Sequence, residues 1–250
     1  MAKGGGSGSS GSARRGRDAG ARRPANRTAS AKKPAQRSAK VVFDARPADD
    51  AAASRSLRLG LIPGATPGKW IDAWRDRMPD VPIEITQLDV ATQRAGVLGD
   101  ELDLALVRLP IDDDDLSTIP LYEEISVVVC AADSALTAVD ELDLADLAGE
   151  VVIVPRDAVF DLAIPGTSTP KFEAPADTAE AIATVAAGVG IVIVPLSLAR
   201  LHHRKDAAHR PLRGGPTSTV ALAWRSDRTT PDVETFIGIV RGRTANSSRN

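Results

Sequence analysis

The hydrophobic positions of this chain follow two alternating patterns from about residue 56 onward. Short aliphatic and β-branched runs predict strands, and between them apolar residues recur at helical spacing. The segments that predict strands are LRLGLI, VPIEITQL, LDLALVRL, ISVVVCA, IVIVP and TVALAWR, and DLADLAGEVVIVP is a further element between ISVVVCA and IVIVP. Because strands and helices alternate along the chain, the pattern predicts an α/β protein with mainly parallel strands and right-handed crossovers.

The longest uncharged run, AIATVAAGVGIVIVPLSLA, has 19 residues and would be long enough to cross a bilayer. Its internal order argues against a membrane span. Asp177 and Glu180 form a capping box just before it, which marks a helix start. Gly188 and Gly190 stand where that helix should end, and the β-branched residues that follow favour a strand. The run therefore predicts a helix, a buried strand and a second helix.

The segment TPGKWIDAWRDRM, which follows the first strand, predicts the first helix. We place Thr66 at its N-cap and Pro67 at its first helical position, because these residue types are preferred there. The three tryptophans are expected to pack in the core or between lobes, and they are Trp70, Trp74 and Trp224.

Charge divides the chain into two parts. Residues 1–40 carry eleven Lys and Arg against a single acid, Asp18, and contain no Val, Leu, Ile, Phe, Trp or Tyr. A segment with so little to bury is expected to be disordered. We therefore divide the chain into a disordered basic tail and linker at 1–55 and a folded domain at 56–250.

The basic tail has two interpretations. In the first, it neutralises nucleic-acid phosphates without sequence preference, and the affinity falls as salt rises. In the second, it is a solvated extension that could fold back on the acidic body. The candidate nucleic-acid-binding residues are Arg14, Arg15, Arg17, Arg22, Arg23, Arg27, Lys32, Lys33 and Arg37.

The sequence gives no support for secretion, for a disulfide or for a metal site. The first residues, MAKGGGSGSSGSARRG, contain no apolar signal region, and the lone Cys130 permits no intrachain disulfide, so we expect a cytoplasmic protein. The acidic loop Asp112–Asp115 lacks the alternation and glycine of a calcium loop. The only three histidines are expected to lie in a charged helix end and loop, and they are His202, His203 and His209. No metal site is predicted.

Enzyme motifs are also absent from the sequence. GATPGK resembles a phosphate-binding loop only in part, because three residues separate Gly64 from Gly68 and Trp70 stands where Ser or Thr should bind magnesium. No nucleophile elbow accompanies the three histidines. We therefore expect a protein that is not an enzyme and that needs no cofactor.

Five segments, taken in order, resemble the effector-binding domain of LysR-type transcriptional regulators. The first runs from SLRLGLIPG to DLALVR, and IPLYEEISVVVCAADSAL with LADLAGEVVIVP follows. TAEAIATVAAGVGIVIVPLSLA is similar to the family's helix–strand unit V-A-x-G-x-G-I-x-x-x-P, and VALAWRSDRTTPDVETFIGIVR is similar to its closing strand and helix. The resemblance covers roughly residues 57–242.

This resemblance implies a two-lobed fold of the type 2 periplasmic-binding-protein class, with a small-molecule effector held between the lobes. Lobe I would comprise about 56–119 and 213–243, and lobe II about 120–212, with two crossing strands as the hinge. The implied function is effector-binding regulation by lobe closure, with a homodimer or a partner regulator as the expected assembly.

Two features depart from the family pattern. Family members carry an N-terminal winged helix-turn-helix, whereas residues 1–55 here show no such periodicity. The segment 156–174 is also shorter than the family's usual loop–helix segment that lines the cleft. Two functions follow as alternatives. One is a LysR-like effector-binding regulator without its own helix-turn-helix, and the other is a nucleic-acid-associated protein whose folded domain serves as a dimerisation or docking platform.

Candidate ligand-binding residues come from helix physics and from the resemblance. A helix N-terminus offers free N–H groups to an anion, so Thr66, Gly68 and Lys69 are one candidate set, with an ordinary N-cap as the alternative. The resemblance adds Asp89 after Leu88, Arg108 after the third strand, and, from the far lobe, Gly166, Thr167 and Ser168. Arg108 would bind an anionic metabolite through two parallel hydrogen bonds, or it would form an ion pair with the acidic loop Asp112–Asp115.

Overall fold

The computed structural model describes residues 55–242. Its strands are β1 Leu57–Leu61, β2 Ile83–Gln87, β3 Leu104–Arg108, β4 Leu116–Ala131, β5 Leu142–Asp143, β6 Val152–Ile153, β7 Ile191–Pro195, β8 Ala207–Arg213 and β9 Thr217–Arg225. Its α-helices are α1 Gly68–Arg77, α2 Gln93–Leu98, α3 Thr178–Ala186, α4 Leu196–Leu201 and α5 Pro231–Val240. The basic tail lies outside the described residues. The nine residues predicted to contact nucleic acid belong to it, and so does the predicted disorder.

Two groups of strands form the two lobes, and β4 belongs to both. In lobe I the strand order is β2-β1-β3-β9-β4, and in lobe II β4 continues against β7 and β8, with β6 beyond β7. β4 pairs with β9 as far as Ile125 and with β7 from Ser126 onward, so the strand changes partners between these two residues. The chain returns to lobe I between β8 and β9.

The expectation of mainly parallel strands is wrong. β1 pairs in parallel with β2 and β3, β5 with β8, and β6 with β7, whereas every pairing of β4 and β9 is antiparallel. The physical reason is the path between the lobes. One strand leads out of lobe I and the other leads back into it, so the two cross in opposite directions.

An aromatic pair anchors the core of lobe I. Trp74 on α1 and Phe236 on α5 are fully buried, with ring centroids 5.9 Å apart. The indole N–H of Trp74 donates to the Val81 carbonyl at 2.7 Å, so its one polar atom is satisfied. Trp224 is also buried, and Trp70 packs partly buried against the same core, which confirms the prediction for the three tryptophans.

The uncharged run folds in lobe II as the sequence predicts. The Asp177 carboxylate accepts a hydrogen bond from the Glu180 amide at 2.8 Å and so caps α3. Gly188 and Gly190 both have positive φ after α3, and a Cβ at Gly190 would lie 2.2 Å from the Val151 carbonyl oxygen. Every residue of β7 is buried. No helix within residues 55–242 has the length and apolar character that a membrane crossing requires.

Two local predictions are wrong. Thr66 does not cap α1, because the Pro67 carbonyl accepts from the Trp70 and Ile71 amides and Pro67 itself is the N-cap. His202 lies at the end of α4 as predicted, whereas His209 lies in the strand β8 and not in the predicted loop. Cys130 is buried in β4, and burial raises the pKa of its thiol.

Candidate functional site

A cleft of about 1320 Å³ lies between the two lobes. Lobe I contributes the loop between β1 and α1 and the residues after β2, including Thr66 and Asp89. The crossing part of β4 forms the floor with Tyr122 to Ile125. Lobe II contributes the residues after β6, the N-terminus of α3 and the helix α4. The site is therefore built from both lobes and from the strand that joins them.

The sequence-predicted ligand residues divide into two groups. Thr66, Asp89 and Arg108 line the cleft, whereas Gly68 and Lys69 are not among its lining residues. The predicted far-lobe set also lies outside the lining, and its members are Gly166, Thr167 and Ser168. Their backbone instead pairs with residues 149–152 at the edge of lobe II, because Ser168 forms a bridge with Val151.

A different part of lobe II faces the cleft. Asp157, Asp177 and Ser197 line the lobe II side of the cleft, where the sequence predicts residues 166–168. The capping box at Asp177 was visible in the sequence and could have indicated this wall, because a helix N-terminus at an interlobe cleft is a natural ligand contact. Ser197 carries no local signal of this kind.

Arg108 is the most deeply buried charge of the cleft, with 2% of its surface exposed. One terminal nitrogen donates to the Glu124 carboxylate at 2.6 Å and to the Ser218 hydroxyl at 2.8 Å. The other donates to the Ser197 hydroxyl at 3.1 Å and to the Pro63 carbonyl at 3.4 Å. All four terminal N–H groups thus have protein acceptors, and only Nε has no partner among residues 55–242.

The ion pair predicted between Arg108 and the acidic loop is not present. The Arg108 side chain extends toward the crossing strands and pairs with Glu124, not with the acidic loop Asp112–Asp115. Arg94 holds that loop instead, with its guanidinium 3.3 Å from the Asp112 carboxylate and hydrogen bonds to the Asp112 and Asp114 carbonyls. To bind an anion through its two terminal nitrogens, Arg108 would have to release two of its present acceptors, whereas a side-on anion at Nε and one terminal N–H would require the release of one.

A buried glutamine fixes the backbone that carries Arg108. The side-chain amide of Gln93 donates to the Arg108 carbonyl at 2.8 Å and accepts from the Arg108 amide at 2.8 Å. Gln93 is 6% exposed, so both hydrogen bonds are shielded from water. No local pattern in the sequence marks Gln93, because its partner Arg108 lies 15 residues further along the chain.

The ionisable groups that line the cleft are predominantly acidic. The carboxylates are those of Asp89, Glu123, Glu124, Asp157 and Asp177, and the guanidinium groups are those of Arg108, Arg156 and Arg200. Glu124 already neutralises Arg108, and Arg156 pairs with Glu173. The cleft therefore has no surplus of positive charge to attract an anion.

The histidines do not assemble around a common point. Within the described part of the chain, no three His, Cys, Asp or Glu side chains are grouped closely enough to hold a metal ion. His202 lines the cleft at the end of α4, whereas His209 lies in β8 opposite Val129, where burial lowers its pKa.

Replacing Glu124 by Gln tests the electrostatic balance of the site. The change keeps the size of the side chain but leaves the buried Arg108 charge uncompensated, so it should lower the free energy of unfolding by roughly 3–5 kcal/mol. The matched control is Glu123→Gln, a neighbouring carboxylate on the exposed side of β4, which should change stability by no more than about 0.5 kcal/mol. Equilibrium urea unfolding measures both, and equal effects would contradict this assignment.

Comparison with known proteins identifies relatives of this two-lobed domain. A protein from Escherichia coli K12, the Hca operon transcriptional activator HcaR, is 27% identical over 205 residues, which are 76% of this chain and 69% of that protein. The HTH-type transcriptional regulator CatR from Pseudomonas putida is 27% identical over 195 residues, or 74% of this chain and 67% of its own.

Solved structures share the fold. The reduced OxyR regulatory domain from Pseudomonas aeruginosa is 25% identical with a TM-score of 0.59, and the match covers 76% of this chain and 96% of that domain. The effector-binding domain of a BenM variant is 20% identical with a TM-score of 0.63, covering 78% and 97%. The family model of the LysR substrate binding domain matches residues 50–245. The chain therefore belongs to the LysR substrate-binding domain family.

Proposed function

We propose that the domain binds a small-molecule effector between its lobes and that the protein is a non-enzymatic regulator. The observation that carries the proposal is the cleft of about 1320 Å³, lined by both lobes and by the strand that connects them. Its volume somewhat exceeds the range of roughly 300–1,000 Å³ that is usual for small-molecule pockets. A ligand that touches both lobes favours one relative arrangement over others and so shifts the population of conformations.

The relatives support the regulatory part of the proposal. HcaR is a transcriptional activator and CatR a transcriptional regulator by name, and the BenM structure is described as an effector-binding domain. The shortened segment 156–174 does not remove the far wall, because residues 156–159 line the cleft. These contacts support a functional cleft.

Within the cleft, we propose Thr66, Asp89 and Arg108 as the residues closest to the effector among those selected from the sequence. An anionic effector would depend on Thr66 in the loop before α1, because the Arg108 terminal N–H groups already have acceptors and Gly68 and Lys69 lie outside the lining. The surplus of carboxylates in the lining fits a neutral or zwitterionic effector better than an anionic one. The proposed homodimer remains a prediction of the family resemblance.

Ligand-induced stabilisation of the full chain tests the effector site. A panel of amino acids, hydroxy acids, aromatic acids and amines is screened by thermal unfolding, and we expect at least one compound to raise Tm. A ligand at one hundred times its Kd adds about 2.7 kcal/mol of stability. Thr66→Val should abolish this gain, whereas the matched control Thr167→Val, outside the lining, should retain it. Loss of the gain in Thr167→Val alone, or a panel without any stabilising compound, would count against the proposed site.

We also propose nonspecific nucleic-acid binding by residues 1–40 as a second function, supported by their eleven basic residues against one acid. If the tail contacts phosphates, full-length protein should bind duplex DNA at low salt and weaken steeply as salt rises. A variant with the nine candidate residues replaced by Gln should lose this binding in a fluorescence titration at two salt concentrations. Unchanged affinity in that variant would refute the tail's role.

A further inference from the structure

We propose that Arg108, Glu124 and Ser197 form a lobe latch that sets the angle between the two lobes and thereby controls effector binding. The proposal concerns regulation of the cleft described above, and it rests on the proposed function only for its consequence for the effector. The conformational claim itself can be tested without any ligand.

The three members of the lobe latch come from three separate parts of the fold. Arg108 ends β3 in lobe I, Glu124 lies on the crossing strand β4, and Ser197 lies in the first turn of α4 in lobe II. The Ser197 hydroxyl accepts from Arg108 at 3.1 Å and donates to Glu124 at 3.0 Å. A lobe II side chain thus closes a ring with the ion pair between lobe I and the crossing strand.

Burial makes the lobe latch sensitive to lobe movement. The Arg108 side chain is 2% exposed and that of Glu124 is 10% exposed, so both charges depend on protein partners in place of water. If α4 moves away with lobe II, Arg108 loses an acceptor and Glu124 loses a donor in the same step. The present lobe arrangement is therefore favoured over a more open one.

The backbone of lobe I touches lobe II at the same point. Gly64, in the loop after β1, has a φ of +83°, and a Cβ built there would lie 2.5 Å from the Ser197 hydroxyl oxygen. The adjacent Pro63 carbonyl accepts from Arg108 at 3.4 Å. Gly64 is required here both for its positive φ and because the two lobes leave no space for a side chain.

The lobe latch has a consequence for ligand choice. An effector carboxylate would have to displace one of the four acceptors on the terminal N–H groups of Arg108, and displacement of Ser197 or Glu124 would open the latch. An effector that binds elsewhere in the cleft leaves the latch closed and meets two lobes already in position. When the latch is broken, the binding-competent arrangement is less populated, and the apparent affinity falls by that fraction.

The distance across the cleft tests the lobe latch directly. Spin labels are attached through Ala91→Cys in lobe I and Ala179→Cys in lobe II, two exposed positions on opposite walls of the cleft. Cys130 is 1% exposed and stays unlabelled. Electron–electron double resonance on the full chain, without ligand, then gives the distribution of distances between the two labels.

Ser197→Ala should shift this distribution to longer distances, because it removes the lobe II member of the latch. Gly64→Ala is a second variant that acts from the lobe I side, and it should shift the distribution in the same direction. The matched control is Ser226→Ala, which removes a hydroxyl contact of 3.0 Å with Ser117 on the surface of lobe I and should leave the distances unchanged.

An unchanged distribution in folded Ser197→Ala protein would overturn the lobe latch, as would an equal shift in the Ser226→Ala control. Circular dichroism of each variant establishes that the protein is folded. Because no ligand is used, failure to find an effector does not affect this result. Conversely, if the lobe latch is refuted, the proposed effector site is still tested separately by the thermal-unfolding screen with the compound panel.

Discussion

The buried guanidinium of Arg108 is the interaction on which the arrangement of the cleft depends. A charge with so little contact to water is stable only when opposite charge and hydrogen-bond acceptors surround it. Here those partners are Glu124 on one crossing strand, Ser218 on the other and Ser197 in lobe II. The buried charge of this side chain therefore keeps its partners only while the two lobes and the two crossing strands, β4 and β9, stay together.

The topology of the sheets makes this convergence possible. β4 and β9 run antiparallel beside each other through the region between the lobes, and β3 lies next to β9. Arg108 at the end of β3 therefore lies beside the two strands that carry Glu124 and Ser218, and Gln93 holds its backbone there. β4 also forms the floor of the cleft, so the ion pair and the proposed effector share one environment.

Local features of the sequence predicted much of the fold, because capping boxes, glycines at helix ends and β-branched runs act over a few residues. Asp177, Gly188 and β7 are examples. The strand β8 was missed because its residues are mostly half-buried and mix Ala, Pro and Leu with His and Arg, which gives no clear alternation. The antiparallel crossing strands were missed because pairing direction depends on the path of the chain between lobes, which hydrophobic periodicity does not record.

The candidate site was harder to predict from the sequence, because its contacts join residues that are far apart along the chain. Thr66 was selected because a helix was expected to begin there, at an edge of the sheet where ligands usually bind, whereas Asp89 and Arg108 were selected from the family resemblance. The partners that determine what Arg108 can do lie 16, 89 and 110 positions away along the chain, at Glu124, Ser197 and Ser218. No local pattern links them, so the sequence suggested an anion-binding arginine where the structure has a neutralised one.

The most direct measurement of the central claim is a double-mutant cycle between Glu124→Gln and Ser197→Ala, measured by equilibrium urea unfolding. If the crossing strand and lobe II act together on Arg108, the two changes should be coupled by about 0.5–3 kcal/mol. If their effects add to within about 0.3 kcal/mol, the two groups act independently. That result would contradict the view that one buried charge holds the lobes together.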